Sequence, residues 1–323
     1  MHLCYNTPKL LIVHINKNFS HQEDYNLKVK ILSSKNYETP NYNHGDCFII
    51  DTGSRLVIYD CGSEEHAKHV IDYMDKNNYQ KATFILSHND SDHVNGLYCL
   101  IAQNRIDAIL TTLLLKYKTQ LLDILDDGRR TRESVGNRIT ELYDNIAKLT
   151  GQKLVDIYQL EEDSLPPGLT FIGPKLNDML EAVAKNINNQ EGDTIAGETI
   201  YNATSLQIAV NLGAKKMLLC GDASYDMIKG NLRSYDYIQL PHHGKVAHAK
   251  KIFQECGPDD THITYIVSDN TGTSNGGSDD LSAISKGHYI KNTKYEDILP
   301  IKSSTYNHCN GLAATPLGFY GNL

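Results

Sequence analysis

The sequence predicts an α/β fold built from two mixed β-sheets stacked face to face, with helices on both outer sides: an αββα sandwich. Three observations lead there. Short strand-like runs interleave with helical text along most of the chain, and several neighbouring runs are joined by hairpin turns, which a single doubly wound parallel sheet would lack. Polar residues of metal-binding type also recur where apolar runs end.

Taken in order, residues 1–25 contain one short apolar segment, Leu10–Val13, and are expected to form an N-terminal extension before a single domain over 26–323. Leu27–Leu32 alternates with a period of two. Cys47–Ile50 and Leu56–Tyr59 are short apolar runs separated by the turn residues Asp51-Thr52-Gly53-Ser54, so three successive strands are expected, the last two a hairpin. Ala67, Val70, Ile71 and Met74 fall at helical spacing within Glu64–Asn77, which leads into a strand over Ala82–Leu86. After a polar loop the chain is expected to turn helical from Val94. Lys116–Leu149 is helical in pattern, broken at Asp126-Asp127-Gly128, and reads as a helical insertion covering about 104–160. Further strands are expected at Gly168–Ile172, Leu206–Val210, Lys216–Leu219, Tyr237–Leu240 and Tyr265–Val267, with helices at Asn177–Asn186 and His248–Glu255. Gly272–Asp280, rich in Gly, Ser, Asn and Asp, is the expected mobile loop.

With 40% hydrophobic and 22% charged residues, the composition is that of an ordinary globular chain. No apolar run approaches a membrane span or a signal-peptide core, so no membrane association is expected. The seven cysteines are scattered without a C-x-x-C pair, which excludes a zinc ribbon and points to reduced thiols in the cytoplasm. A formal net charge of −8 argues against a sequence-independent grip on long nucleic acid, while leaving room for phosphate chemistry at a metal site.

The densest chemistry lies at Ser87-His88-Asn89-Asp90-Ser91-Asp92-His93, directly after the strand Ala82–Leu86. Imidazoles and carboxylates at alternate positions of a tight loop can converge on a divalent ion without thiolates, and a strand end holds such a loop firmly. Read blandly, the same residues would cap the next helix. Asp60 closes the Leu56–Tyr59 strand, Asp222 follows Leu218-Leu219-Cys220-Gly221, and Pro241-His242-His243-Gly244 follows Tyr237–Leu240. Each of these alone suits an ordinary turn beside glycine; their joint occurrence at strand ends suits a metal centre.

In this order the motifs resemble those of the metallo-β-lactamase superfamily, and within it the metallohydrolase domain of the competence protein ComEC and its stand-alone relatives. The resemblance runs from about Gly45 to about Leu312. Gly45-Asp46-Cys47 resembles the opening G-D-x strand, Tyr59-Asp60-Cys61-Gly62 the D-x-G that ends the hairpin, and Ser87–Gly96 the signature metal loop. Asn202-Ala203-Thr204-Ser205 resembles a later N-x-x-S, Gly221-Asp222 the metal-bridging aspartate, Pro241–Gly244 the H-H-G of this branch, and His288 a late histidine near the leaving group. Two departures stand out: Asp90 occupies the place of the loop's usual second histidine, and no histidine occurs between His93 and His242.

The resemblance implies a metal-dependent hydrolase with one or two divalent ions. His88, Asp90 and Asp222, with Asn202 or water, would hold the first; Asp92, His93, Asp222 and one histidine of the pair would hold the second. His243 is the expected ligand, because it superimposes on the histidine of the commoner P-G-H-G turn, with His242 the alternative. Asp60, Asn202, Ser205 and Lys245 would stand behind the ligands or meet substrate, while Asp92, Asp222 and His288 would carry catalysis. Three carboxylates and no thiolate make manganese a rival to zinc. The resemblance favours a phosphodiesterase or nuclease acting on nucleic acid or nucleotides, beside partner proteins encoded nearby. An ester or lactam-type hydrolase and a metal-stabilised non-enzymatic effector are the competing readings.

Overall fold

The structure is a computed structural model that describes residues 27–38, 42–126, 128–149, 151–161, 164–187, 194–258, 261–268, 280–295 and 298–302. The expected N-terminal extension lies outside the described residues, as does all of Gly272–Asp280 except its last residue.

The chain opens with β1 (Lys28–Ile31), β2 (Cys47–Asp51) and β3 (Leu56–Cys61), an antiparallel meander, then α1 (Glu64–Lys76), β4 (Ala82–Ile85), α2 (Ser91–Ala102) and β5 (Ile106–Thr111). Three helices follow, α3 (Lys118–Leu125), α4 (Arg132–Leu142) and the single turn α5 (Asp144–Ala147), before β6 (Leu154–Asp156), β7 (Leu169–Gly173) and α6 (Leu176–Asn186). A two-stranded ribbon, β8 (Thr194–Ile195) and β9 (Glu198–Thr199), leads into the turn α7 (Ile200–Ala203) and the hairpin β10 (Gln207–Leu212) and β11 (Lys215–Leu219). The rest comprises α8 (Tyr225–Ile228), β12 (Tyr237–Gln239), the turn α9 (Pro241–Gly244), α10 (Val246–Cys256), β13 (Thr264–Val267), β14 (Tyr289–Asn292) and β15 (Ile298–Lys302).

These strands make two mixed sheets, ordered β15-β1-β2-β3-β4-β5-β6 and β14-β13-β12-β11-β10-β7. In the first, the pairs from β15 to β3 are antiparallel and those from β3 to β6 parallel. In the second, β11 through β14 run parallel while β7 and β11 flank β10 antiparallel.

The period-two alternation explains the layering. On β2 and β3, Phe48, Ile50, Val57 and Tyr59 face the second sheet and meet Ile208, Val210, Met217, Leu219 and Ile266. The intervening Ile49, Leu56 and Ile58 face outward under α1, α2, α3 and α6, where Val70, Met74, Leu97, Leu121 and Val183 pack on them. The outer face of the second sheet buries Leu218, Ile238 and Tyr265 against Ile252 and Phe253 of α10. Three apolar layers between four layers of secondary structure give the αββα sandwich.

Two boundaries differ from the sequence reading. The segment 104–160 is not wholly helical: β5 and β6 continue the first sheet in parallel, and only the stretch between them is helical. β5 buries four successive residues, Ala108–Thr111, and so carries no period, which is how a parallel strand buried on both faces reads. Helix α2 starts at Ser91, three residues before the expected Val94, so Asp92 and His93 sit in its first turn with Asp90 at the N-cap. Among the described residues, no helix is long and apolar enough to cross a membrane.

Candidate metal centre

The C-terminal ends of β3, β4, β11 and β12 open along one rim of the sandwich. Asp60 is the penultimate residue of β3, Ser87 and His88 follow β4, Gly221 and Asp222 follow β11, and His242 and His243 follow β12. Ser205 lies just before β10, which runs antiparallel to β11, so it reaches the same rim. The two sheets are joined there by backbone, Leu206 N–H donating to Ser87 O at 2.8 Å, and by Tyr59 Oη donating to Leu206 O at 2.7 Å.

The loop needs close backbone approach. A Cβ on Gly45 would fall 1.7 Å from the carbonyl oxygen of Asp92, and one on Gly62 only 2.0 Å from it, so neither position accepts a side chain without moving the ligand. Asp46 N–H donates to that same carbonyl at 3.1 Å.

Four imidazoles converge; His93, His242 and His88 have Nδ1 hydrogen-bonded on the far side, and His243 Nδ1 faces the Asp46 carboxylate there without a hydrogen bond. His93 Nδ1 lies 2.8 Å from Asp60 Oδ2, His242 Nδ1 2.7 Å from Glu198 Oε2, His243 Nδ1 3.2 Å from Asp46 Oδ1, and His88 Nδ1 2.9 Å from Ser87 Oγ. Ser87 Oγ in turn donates to Asp60 Oδ2 at 2.6 Å. Carboxylates placed behind imidazoles in this way fix ring orientation and leave each Nε2 free for an ion.

The Nε2 atoms surround Asp222. Its Oδ1 lies 3.3 Å from His93 Nε2, and its Oδ2 lies 3.7 Å from His88 Nε2 and 3.8 Å from His242 Nε2. His88 Nε2 is also 3.7 Å from Asp90 Oδ2, and His243 Nε2 is 3.2 Å from Asp92 Oδ2. Two donors about 2.1 Å from a common ion at a tetrahedral angle stand about 3.4 Å apart, so these separations suit shared ions. The buried His88 Nε2, His93 Nε2 and Asp222 Oδ1 have no hydrogen-bond partner. Buried polar atoms without partners are costly, and a divalent ion would satisfy all three. His88, His93 and Asp222 form one group able to hold an ion, and Asp92, His93 and His243 another.

Charge follows the same plan. Burial alone would raise the Asp222 carboxyl, but His93, His243 and His242 hold it well below the usual carboxylate range. Burial opposes protonation of His93 and His243, yet Asp222, with Asp60 behind one and Asp46 behind the other, pushes both well above the ordinary imidazole value. The opposite charges of these imidazoles and carboxylates thus favour the charged form of each.

The backbone carries strain here. Asp60 has φ 55°, and His242 and His243 have φ/ψ of 52/53° and 52/31°, all left-handed without being glycine. Each such residue costs on the order of 1–2 kcal/mol and persists only where its surroundings fix it. Two successive left-handed histidines fan apart, His242 towards Glu198 and Asp222, His243 towards Asp46 and Asp92.

The remaining expected residues divide. Asn202 Nδ2 donates to Asp222 Oδ2 at 3.4 Å, and Ser205 Oγ accepts from Asp222 N–H at 3.3 Å, so both stand behind that carboxylate. Lys245 is tied to Glu198 at 2.5 Å. His288 is corrected. Its ring stacks on Phe253 at 4.2 Å and lies edge-on to Tyr265. Tyr289 pairs with Thr264 and Thr264 with Tyr237, which puts His288 at the start of these parallel strands, about four residues or ~13 Å before the turn that bears His242. It stands away from the leaving-group position that the resemblance implied.

Sequence reasoning missed Asp46, Glu198 and Asn43 as site residues. Asp46 had a signal, the Gly-Asp pair opening a strand. Asn43, whose Nδ2 donates to Asp92 Oδ2 at 2.8 Å, and Glu198 had none, since each acts on a partner far along the chain. The helical insertion also reaches the loop. Asn89 is held by Leu142, Asp144 and Ile146, and Tyr201 lies between Tyr143 and His88.

A family model described as the metallo-beta-lactamase superfamily matches residues 41–268. The chain belongs to this superfamily. The span runs from just before Asp46 to Ser268 and contains every candidate ligand named above. Similar solved structures include the metallo-beta-lactamase fold protein YhfI from Bacillus subtilis, at 14% identity, covering 83% of this chain and 96% of that one with a TM-score of 0.45. Igni18, a metallo hydrolase from Ignicoccus hospitalis, is 12% identical over 82% of this chain and 94% of that one, with a TM-score of 0.43. A diphosphatase from the PhnP family is 11% identical over 82% and 94%, with a TM-score of 0.38. No curated protein matches the chain.

Proposed function

We propose that this superfamily member is a phosphodiesterase or nuclease of the ComEC-like branch, working with one or two divalent ions. The observation that carries the proposal is the donor set: imidazole Nε2 atoms and the carboxylates of Asp90, Asp92 and Asp222 converge without any thiolate, with Asp222 presenting one oxygen to His93 and the other to His88 and His242. An oxygen-rich set suits manganese as well as zinc, and suits a phosphoryl electrophile whose negative charge the ions must offset. Asp92, His93, His243 and Asp222 Oδ1 would hold one ion; His88, Asp90 and Asp222 Oδ2 would hold the other.

Bound there, the ions would activate water and polarise the scissile phosphate. The chain's own residues do the rest. Asp60 fixes His93 in the tautomer that presents Nε2, and the Asp46 carboxylate beside His243 Nδ1 favours the same tautomer there. Asn43 holds Asp92 Oδ2 in place, and Asn202 and Ser205 hold Asp222. With His288 displaced, Tyr201, half-buried between His88 and Tyr143, places a phenol ring parallel to His88 with centroids 6.4 Å apart.

The test is metal analysis of the purified protein followed by assays on oligonucleotides, cyclic nucleotides and an activated phosphodiester with manganese and zinc. Wild type should turn over at least one phosphodiester, and Asp92→Ala should abolish turnover while leaving the thermal transition cooperative. Equal background rates for wild type and Asp92→Ala on every substrate and metal would refute the reading.

A further inference from the structure

Glu198 closes the β8–β9 ribbon, and its side chain is only 2% exposed. It gathers three basic side chains from one stretch of chain: His242 Nδ1 at 2.7 Å, Lys245 Nζ at 2.5 Å and His248 Nε2 at 2.8 Å. A buried carboxylate bonded to the turn and to the first turns of the following helix fixes where that turn stands. Residue 242 needs such fixing, because its backbone is left-handed.

The engagement of Nδ1 by Glu198 determines what His242 offers the centre. Its Nε2 is turned to Asp222 Oδ2 at 3.8 Å, the same oxygen that lies 3.7 Å from His88 Nε2, itself 3.7 Å from Asp90 Oδ2. The other Asp222 oxygen, with His93, serves the opposite side together with Asp92 and His243. The His88 side is therefore where a donor is short, because the loop carries Asp90 in place of a histidine and no histidine lies between His93 and His242.

We infer that Glu198 is a positioning residue that makes His242 the fourth donor of the His88–Asp90–Asp222 site. The site is thus rebuilt from the turn after β12, and it takes a divalent cation that accepts mixed nitrogen and oxygen donors. The inference rests on the metallohydrolase reading above, and the experiment separates the two.

The full chain is stripped of metal and titrated with zinc, and separately with manganese, against a chromophoric chelator, with bound metal counted by elemental analysis. Wild type should bind two ions. Glu198→Gln keeps the size of the side chain but removes its charge, and should weaken one of the two ions about 10–100-fold while leaving the other unchanged. His242→Ala should weaken the same ion, and the double variant should be no worse than His242→Ala alone. Unchanged affinities in Glu198→Gln, or additive losses in the double variant, would overturn the role of Glu198. A wild type that binds no ion would instead overturn the metallohydrolase reading. Nitrogen-15 spectra of the zinc-loaded wild type provide a check that needs no variant to fold. His242 should be protonated on Nδ1 with a metal-shifted Nε2, and protonation on Nε2 would overturn the inference.

Discussion

Asn89→Ala tests whether the helical insertion holds the metal loop. The Asn89 side chain is buried between His88 and Asp90, and it makes three hydrogen bonds into the insertion: Nδ2 to Leu142 O at 3.3 Å, Nδ2 to Asp144 Oδ1 at 3.2 Å, and Oδ1 from Ile146 N–H at 3.0 Å. A neutral bond contributes about 0.5–1.5 kcal/mol and one to a charged group about 1.5–3 kcal/mol. The two longer bonds belong at the low end of these ranges, and the buried Ile146 N–H would be left without a partner, so the sum is roughly 3 kcal/mol. The assay is urea denaturation followed by far-ultraviolet circular dichroism, together with zinc titration of the folded variant. The midpoint should fall by that equivalent, and the ion nearer His88 and Asp90 should bind more weakly than the one nearer His243. Asn145 Nδ2, which donates to Asn89 O at 2.8 Å, keeps its bond and so limits the loss. A destabilisation under about 1 kcal/mol with unchanged metal affinity would refute the clamp.

Three further predictions follow from the geometry. His93→Ala and His243→Ala should weaken the same ion, the one assigned to Asp92, while His88→Ala should weaken the other; loss of the same ion in His88→Ala and His243→Ala, read by elemental analysis, would contradict the assignment. His288→Ala should leave kcat and KM for any phosphodiester substrate within about twofold while lowering Tm through the lost stack on Phe253, and a rate loss of the ~10²–10⁴-fold expected of a general acid would restore the leaving-group role. Asp51, far from the rim, accepts 2.7 Å bonds from Tyr73 and Tyr79, and although burial raises its carboxyl, these bonds together with Gly53 N–H leave it below its ordinary value. A carboxyl lowered in the folded state stabilises fully above its unfolded value near 4, and that stability is lost as pH falls through the folded value. The Tyr73→Phe/Tyr79→Phe variant should therefore lose stability at neutral pH and show a flatter decline on acidification; an unchanged acid limb in denaturation midpoints would contradict the linkage.

How much of the fold can be read from the sequence depends on which faces of each strand are buried and by what. Leu27–Leu32 and the β2–β3 hairpin have adjacent residues facing two different layers, and their turn chemistry is local, so both were legible. β5 and β6 were not, because β5 buries four successive residues and has no period, β6 is three residues long at the sheet edge, and the helical insertion between them draws the eye to its own 3.6-residue pattern. β14 and β15 owe their strand character to long-range pairing with β13 and β1, and β8–β9 has two residues per strand, too few to leave a pattern.

The centre divides along the same line. That His88, Asp90, Asp92, His93, Asp222, His242 and His243 come together was legible because strand ends mark themselves, and a rim built from four strand ends gathers whatever those ends carry. Among the groups that orient the ligands, Asp60, Asn202 and Ser205 were named as standing behind them, but Asp46 and Glu198 were not, and which ligand each group serves was not legible, because orientation is a pairwise matter between distant segments: Asp60 with His93, Asp46 with His243, Glu198 with His242. This also accounts for the error at His288. A motif order gives sequence position, but in a run of parallel strands a residue before a strand and a residue after it lie at opposite ends of the sheet, and His288 comes before β14. The same logic bears on the histidine pair, where sequence superposition offered His243 or His242 as alternatives. Two consecutive left-handed residues turn one ring to Asp222 and the other to Asp92, each with a carboxylate behind it, so the turn after β12 brings both histidines to the rim and the choice between them is not forced.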